Sequence, residues 1–193
     1  MLYELKPINR SDDIYVYWES FDRHPDWKLY EKYNDFIVKN KGDGKFLNYT
    51  RIKFKTQTAY NKKNIEKEDY LESINFKIPI FSQRFVECVK NEMQEELDFI
   101  ECDILCDGNI YNYYIGKILK TKKLVERQTF DEIILNDGTK SERLQNIIYN
   151  MNIDENDFLI ARDESIDYIY LVNEKFKKLV KRNNLKIVFG TPI

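Results

Sequence analysis

Short apolar runs alternate with polar stretches along this chain, and one arrangement of them occurs twice. Ile80-Phe81-Ser82-Gln83-Arg84-Phe85-Val86-Glu87-Cys88-Val89 is echoed by Leu171-Val172-Asn173-Glu174-Lys175-Phe176-Lys177-Lys178-Leu179-Val180. In each copy an apolar run meets Ser or Asn, an amphipathic stretch anchored by Phe follows, and a second apolar run closes the unit (97–100 and 185–189). That order predicts strand, helix N-cap, helix, strand. Phe85, Val89 and Met93 recur at spacing four, so the first helix is expected to run to about Glu95 with these residues on one face. Phe81, Phe85, Val89, Phe176 and Val180 are the expected core of the two units.

The remaining pattern adds mostly strands. Residues 3–8 and 14–18 read as strands, and His24-Pro25 breaks the chain after them. Residues 29–38 fit a helix or an irregular strand. In 46–58, Arg51, Lys53 and Lys55 alternate with Ile52 and Phe54, the period of a strand with one face in water. Residues 61–70 suggest a surface linker or short helix. Residues 97–104 and 110–119 are strands joined by an Asp107-Gly108 turn, and Asp137-Gly138 marks another turn. Residues 144–149 read as a helix fragment, and 158–161 as a short strand. The sum is an α+β protein with a mixed or mostly antiparallel sheet and short helices packed on it. One domain over 1–193 is expected, with a variable part at 1–74 and a core at 75–193.

Composition narrows the function classes. Charged residues make up 33% of the chain, but their signs are mixed and the net charge is −2, which disfavours both disorder and a wholly basic nucleic-acid binder. No apolar stretch approaches the ~20 residues of a membrane span. The first residues carry no long apolar segment of a signal peptide, and three cysteines give no disulfide framework. A cytoplasmic protein without a membrane or nucleic-acid partner is the expectation.

Candidate chemistry is sparse. His24 is the single histidine and lies among Asp22, Arg23, Asp26 and Trp27, where a general base or weak metal site competes with an ordinary exposed loop. Cys102 and Cys106 lack a companion pair for zinc, and Cys88 falls on the first helix. No phosphate-binding glycine loop, HExxH, GxSxG or EF-hand pattern occurs. The expectation is a protein that is not an enzyme and needs neither cofactor nor metal.

Charge distribution says more. Glu92, Glu95, Glu96, Asp98, Glu101, Asp103 and Asp107 crowd a stretch without Lys or Arg. The second copy is instead basic, with Lys175, Lys177, Lys178, Lys181, Arg182 and Lys186. The charges match each other internally, or the basic helix meets nucleic acid, or the acidic edge steers a basic protein partner. Contact residues are expected first at Glu92, Glu95, Glu96, Glu101 and Asp103, and next at Asp26 and Trp27, where an exposed Trp beside a carboxylate makes a plausible hot spot. Trp27 fits the rim of the core equally well, and Arg84 fits either a contact or a structural anchor.

The residues of the echo also carry a resemblance. Ile78-Pro79-Ile80-Phe81-Ser82-Gln83-Arg84-Phe85 resembles an element of a family of immunity proteins from bacterial polymorphic toxin systems, named after a myxobacterial member. The chain is similar to that family again at Tyr111-Asn112-Tyr113-Tyr114-Ile115, at Phe158-Leu159-Ile160-Ala161-Arg162, and from Ile169 through Val180 to Asn184-Leu185-Lys186-Ile187-Val188-Phe189. The likeness runs from Asn75 to the end and touches Tyr3-Glu4-Leu5. It departs at Gly116, where members usually have Asn, and at Lys186, where they usually have Gly; residues 18–70 match poorly. The resemblance implies an inhibitor that binds a cognate toxin stoichiometrically in the cytoplasm and needs no catalytic residue. The alternatives are another regulatory or structural interaction module, or an enzyme acting on nucleotides or glycans.

Overall fold

A computed structural model describes residues 1–7, 15–18, 26–49, 51–56, 62–74, 76–134, 139–150 and 152–191. His24-Pro25 and Asp137-Gly138 lie outside these residues. The fold is α+β, with a mixed, mostly antiparallel sheet and short helices packed against it.

Six strands close into a barrel. They are β2 (Tyr15–Trp18), β3 (Ile52–Thr56), β4 (Tyr70–Ser73), β5 (Pro79–Ser82), β6 (Leu97–Cys106) and β7 (Asn109–Ile118), in the spatial order β2-β3-β6-β7-β5-β4. Parallel pairs β3–β6 and β2–β4 complete the circle, the second aligning Tyr15 with Glu72. Strands on both sides of residue 74 contribute to it. Alternation decides what fills the barrel: Ile52 and Phe54 of β3 turn inward with Cys102, Ile104 and Ile115, while Arg51 and Lys53 stay outside. Asp107 and Gly108 both adopt positive φ (50° and 74°), the two-residue hairpin geometry that matches strand twist.

The stretch 29–38 is helical. Asp26 caps α1 (Trp27–Tyr33) by accepting from Leu29 N–H at 3.1 Å, and the chain continues as a π-helical turn, Asn34–Val38. Tyr33, Ile37 and Val38 join the barrel's apolar cluster. The next segment departs from expectation: 45–48 winds as a 3-10 turn (Lys45–Asn48), and the strand begins only at Ile52. In 61–70 the chain forms the short α2 (Lys62–Ile65) before β4.

Both copies of the echo adopt their expected order. In the first, β5 leads into α3 (Gln83–Val89), which ends before Glu95 because 90–96 turns back toward β6. In the second, β12 (Tyr170–Val172) leads into α4 (Glu174–Arg182) and then β13 (Val188–Gly190). The caps work alike: Ser82 Oγ accepts from Phe85 N–H at 3.1 Å, and Asn173 Oδ1 accepts from Phe176 N–H at 2.9 Å. Phe81, Phe85, Val89, Phe176 and Val180 are all buried in one cluster outside the barrel wall. Phe85 stacks on Phe81 at 4.0 Å and lies 6.0 Å from Phe176, so the copies pack on each other. Strand β1 (Glu4–Lys6) pairs with β13 and bridges to β12 through Tyr3 and Val172. Gly116 is needed here, since a Cβ would stand 2.6 Å from the Phe81 ring.

Two further sheets complete the fold. The short β8 (Thr121–Lys122) pairs in parallel with β11 (Ile160–Asp163), which pairs antiparallel with β12. Strands β9 (Val125–Ile134) and β10 (Lys140–Tyr149) form a separate two-stranded ribbon. The helix expected at 144–149 is thus a strand. At the ribbon's base Val125 N–H donates to Asp163 Oδ2 at 2.8 Å and the Tyr149 hydroxyl to Glu4 at 3.2 Å, whereas Phe130, Ile134 and Ile148 are exposed.

Candidate functional site

The acidic residues of 92–107 do not form one surface, because the fold divides them among several neighbours. Glu92, in the turn after α3, accepts from Arg182 of α4 at 2.5 Å, so one acidic and one basic decoration of the echo meet. Both side chains are about half exposed, and such pairs contribute little, ~0–1 kcal/mol. Glu95 is exposed in the same turn. Glu96 accepts from the backbone N–H groups of Leu159 (2.6 Å) and Ile160 (2.8 Å), which ties this turn to the start of β11. Asp98 stands opposite Lys117 across β6 and β7; Lys117 is buried with its ammonium 3.6 Å above the Phe36 ring, and burial pushes its pKa down against the pull of Asp98.

Glu101 and Asp103 come together. Strand β6 is interior to the barrel wall, so their outward carboxylates face the basic row of β3. Arg51 Nε donates to Asp103 at 2.8 Å, and its Nη2 reaches Asn112 Oδ1 at 2.8 Å and Glu101 at 3.4 Å. This lattice borders a groove of about 430 Å³ lined by Leu47, Asn48, Tyr49, Arg51, Ile100 and Glu101. Tyr49, where the chain leaves the 3-10 turn, is 90% exposed. The groove therefore has half-buried apolar groups in its lining, a planar aromatic at its edge and a guanidinium held by three acceptors.

Asp26 and Trp27 lie at the start of α1 and are not among the groove's lining residues. Asp26 serves as the cap described above, and Trp27, 57% exposed, packs edge-on to Tyr30 at 5.9 Å. Tyr30 in turn stacks on Phe76 at 4.8 Å, which makes Trp27 the outer member of an aromatic series. His24, with Asp22 and Arg23, lies outside the described residues. Cys102 and Cys106 are buried in the barrel, and burial pushes both thiols up, Cys102 far up, which holds them protonated and disfavours nucleophilic use. Among the described residues no group of three or more His, Cys, Asp or Glu is placed to hold a metal ion. Nor is any of their helices long and apolar enough to cross a membrane.

Arg84 is an anchor. Its Nε donates to Asp69 Oδ1 at 3.0 Å and its Nη2 to Oδ2. The same carboxylate, almost fully buried, accepts from Ser82 Oγ at 2.5 Å and from Lys186 N–H at 2.6 Å. Ser82, Arg84 and Phe85 thus act together: Ser caps the helix and bonds Asp69, Arg clamps Asp69, and Phe fills the cluster between the copies. Residue 186 serves through its backbone amide, which any non-proline residue supplies.

Tyr49 and Leu47 were not singled out by the sequence, where they fall in a run that reads as strand; their exposure follows from the 3-10 turn. No protein-family model matches the chain, and no curated protein is significantly similar to it.

Proposed function

We propose that this chain is an immunity-type protein that neutralises a cognate toxin by stoichiometric contact in the cytoplasm, with the Tyr49–Arg51–Glu101 groove as its contact surface. The carrying observation is the pairing of a 90% exposed tyrosine with a pre-ordered arginine beside apolar groove lining. Tyrosine and arginine dominate binding hot spots because each offers a large rigid surface and a directed polar group. Arg51 is already fixed by Asp103 and Asn112, so little side-chain freedom remains to be lost on association. The resemblance at Ile78–Phe85 and Ile169–Val180 supplies the toxin-inhibitor context. Glu101 and Asp103 belong to this surface, while Glu92 and Glu96 have structural partners.

The test is co-expression with the product of the adjacent reading frame. Survival of cells that otherwise die, with both chains recovered together, is the expected result. A harmless neighbour, or one that is never bound, would remove the toxin reading; a bound but harmless neighbour would leave an interaction module of another kind.

A further inference from the structure

We infer that the outer face of α4 is a second docking surface, separate from the groove, and that its occupant is a short acidic segment of a partner protein laid along Lys175, Lys178 and Lys181. The helix buries Phe176, Leu179 and Val180 in the cluster between the copies and leaves these three lysines and Arg182 exposed on its other side. The charges there do not cancel. Over 174–186 six cations meet two carboxylates, Glu174 within the helix and Glu92, which pairs with Arg182, so four cations are in surplus. Counting the exposed Glu95 of the same turn as Glu92 still leaves three. On α3, Arg84 is matched by Asp69. Beyond Lys175, Glu155 is taken by the N-terminal ammonium and Asp157 by Lys120 and Lys122. Among the described residues no carboxylate lies within ion-pair distance of Lys175, Lys178 or Lys181.

The fold gains nothing from this arrangement. Lys181 and Arg182 suit the last turn, where the helix dipole favours cations, but Lys175 stands in the first turn, where it disfavours them. Lys178 has Lys175 and Lys181 three residues away and Arg182 four away, like-charge neighbours that destabilise a helix. The stripe therefore serves something outside the chain. A membrane is a poor fit, because the apolar face of α4 is turned inward. So is a nucleic acid, whose charge runs on past the stripe to Glu174 one turn before Lys178 and to Glu92 beyond Arg182; the ring of Tyr3, under Lys177, is buried and closed to a base. An acidic segment ends where the stripe ends. Steps of three residues space the lysines about 4.5 Å apart along the axis, the spacing of carboxylates three apart on a facing helix.

The test uses the full chain by NMR, with a capped alanine-based helical peptide bearing Glu at every third or fourth position. Its Gln counterpart and a 12-base-pair DNA duplex are the other probes. The Glu peptide should shift the amides of Lys175, Lys178 and Lys181 in a saturable way that fades with added salt, and the Gln peptide should not. Replacing two lysines together, Lys175→Gln with Lys178→Gln, should weaken binding on the order of tenfold. The same variant should keep or raise its urea midpoint, since only like-charge neighbours are removed. Absence of saturable shifts, equal shifts from the Gln peptide, shifts confined to other surfaces, or tighter binding of the duplex would overturn the inference. A lowered midpoint would overturn it too, by giving the lysines to the fold. Since no toxin enters these measurements, they stand or fall apart from the toxin reading.

Discussion

Replacing Asp69 by Asn probes the joint that holds the two copies of the echo together. The buried carboxylate accepts from Arg84 twice, from Ser82 and from Lys186 N–H, linking the start of β4, the first residues of α3 and the segment before β13. Asn keeps one acceptor, but its amide turns two donor hydrogens toward groups that are themselves donors. The lost charge-assisted bonds should cost about 2–4 kcal/mol, toward the lower end because the Arg84 side chain is about half exposed and can rehydrate. Burial alone would raise the Asp69 carboxyl, yet the bonds from Arg84, Ser82 and Lys186 outweigh it and hold it below the usual aspartate range. A carboxyl depressed in the fold contributes stability that is complete above its unfolded value of about 4 and is lost as pH falls through its folded value. Urea denaturation of both proteins should therefore show the full difference at pH 7 and a shrinking one below pH ~4. A difference below ~1 kcal/mol at pH 7, or one unchanged down to pH 3, would refute the role given to Asp69.

Phe176→Ala should cost about 3–5 kcal/mol by opening a cavity against Phe85 and Phe189, and an unchanged denaturation midpoint would remove Phe176 from the core. Arg162 is 1% exposed, its Nη1 bonds Asp167 O, and its Nε and Nη2 have no acceptor among the described residues, while burial lowers its pKa to about 10. Arg162→Met should therefore be neutral or stabilising by up to about 2 kcal/mol, and a clear loss in the same denaturation assay would contradict this. Amides at 127–134 in the ribbon should exchange with solvent much faster than those of Ile104 and Ile115, since a two-stranded ribbon is marginal by itself; equal protection in a hydrogen-exchange series would refute its independence.

What could be read beforehand was local. The alternation of Ile52 and Phe54 with Lys53 and Lys55 fixes a wall strand, Ser82 and Asn173 sit where helices need an acceptor, and Asp107-Gly108 suits a turn with two positive φ angles. The stretch 144–149 misled for a physical reason. Leu144, Ile147 and Ile148 have helical spacing, but bulges between Leu144 and Asn146 and between Ile148 and Tyr149 break the strand's period of two. Long-range pairing was illegible. Nothing near Glu101 announces Arg51, because the two meet only through the parallel pairing of β3 and β6. The same holds for Glu92 with Arg182, and for Arg84, whose partner Asp69 lies fifteen positions earlier. Tyr49 carries no motif and matters only because a 3-10 turn leaves it outside.

The most direct check on neutralisation through this groove is the Kd of the purified complex for the native chain and for Tyr49→Ala. Tyr49 touches little of its own fold, so the variant should keep its stability. Its complex should dissociate about 30-fold more readily, the ~2 kcal/mol expected of a hot-spot aromatic. An unchanged Kd in a one-to-one complex would place the contact surface elsewhere and contradict the account.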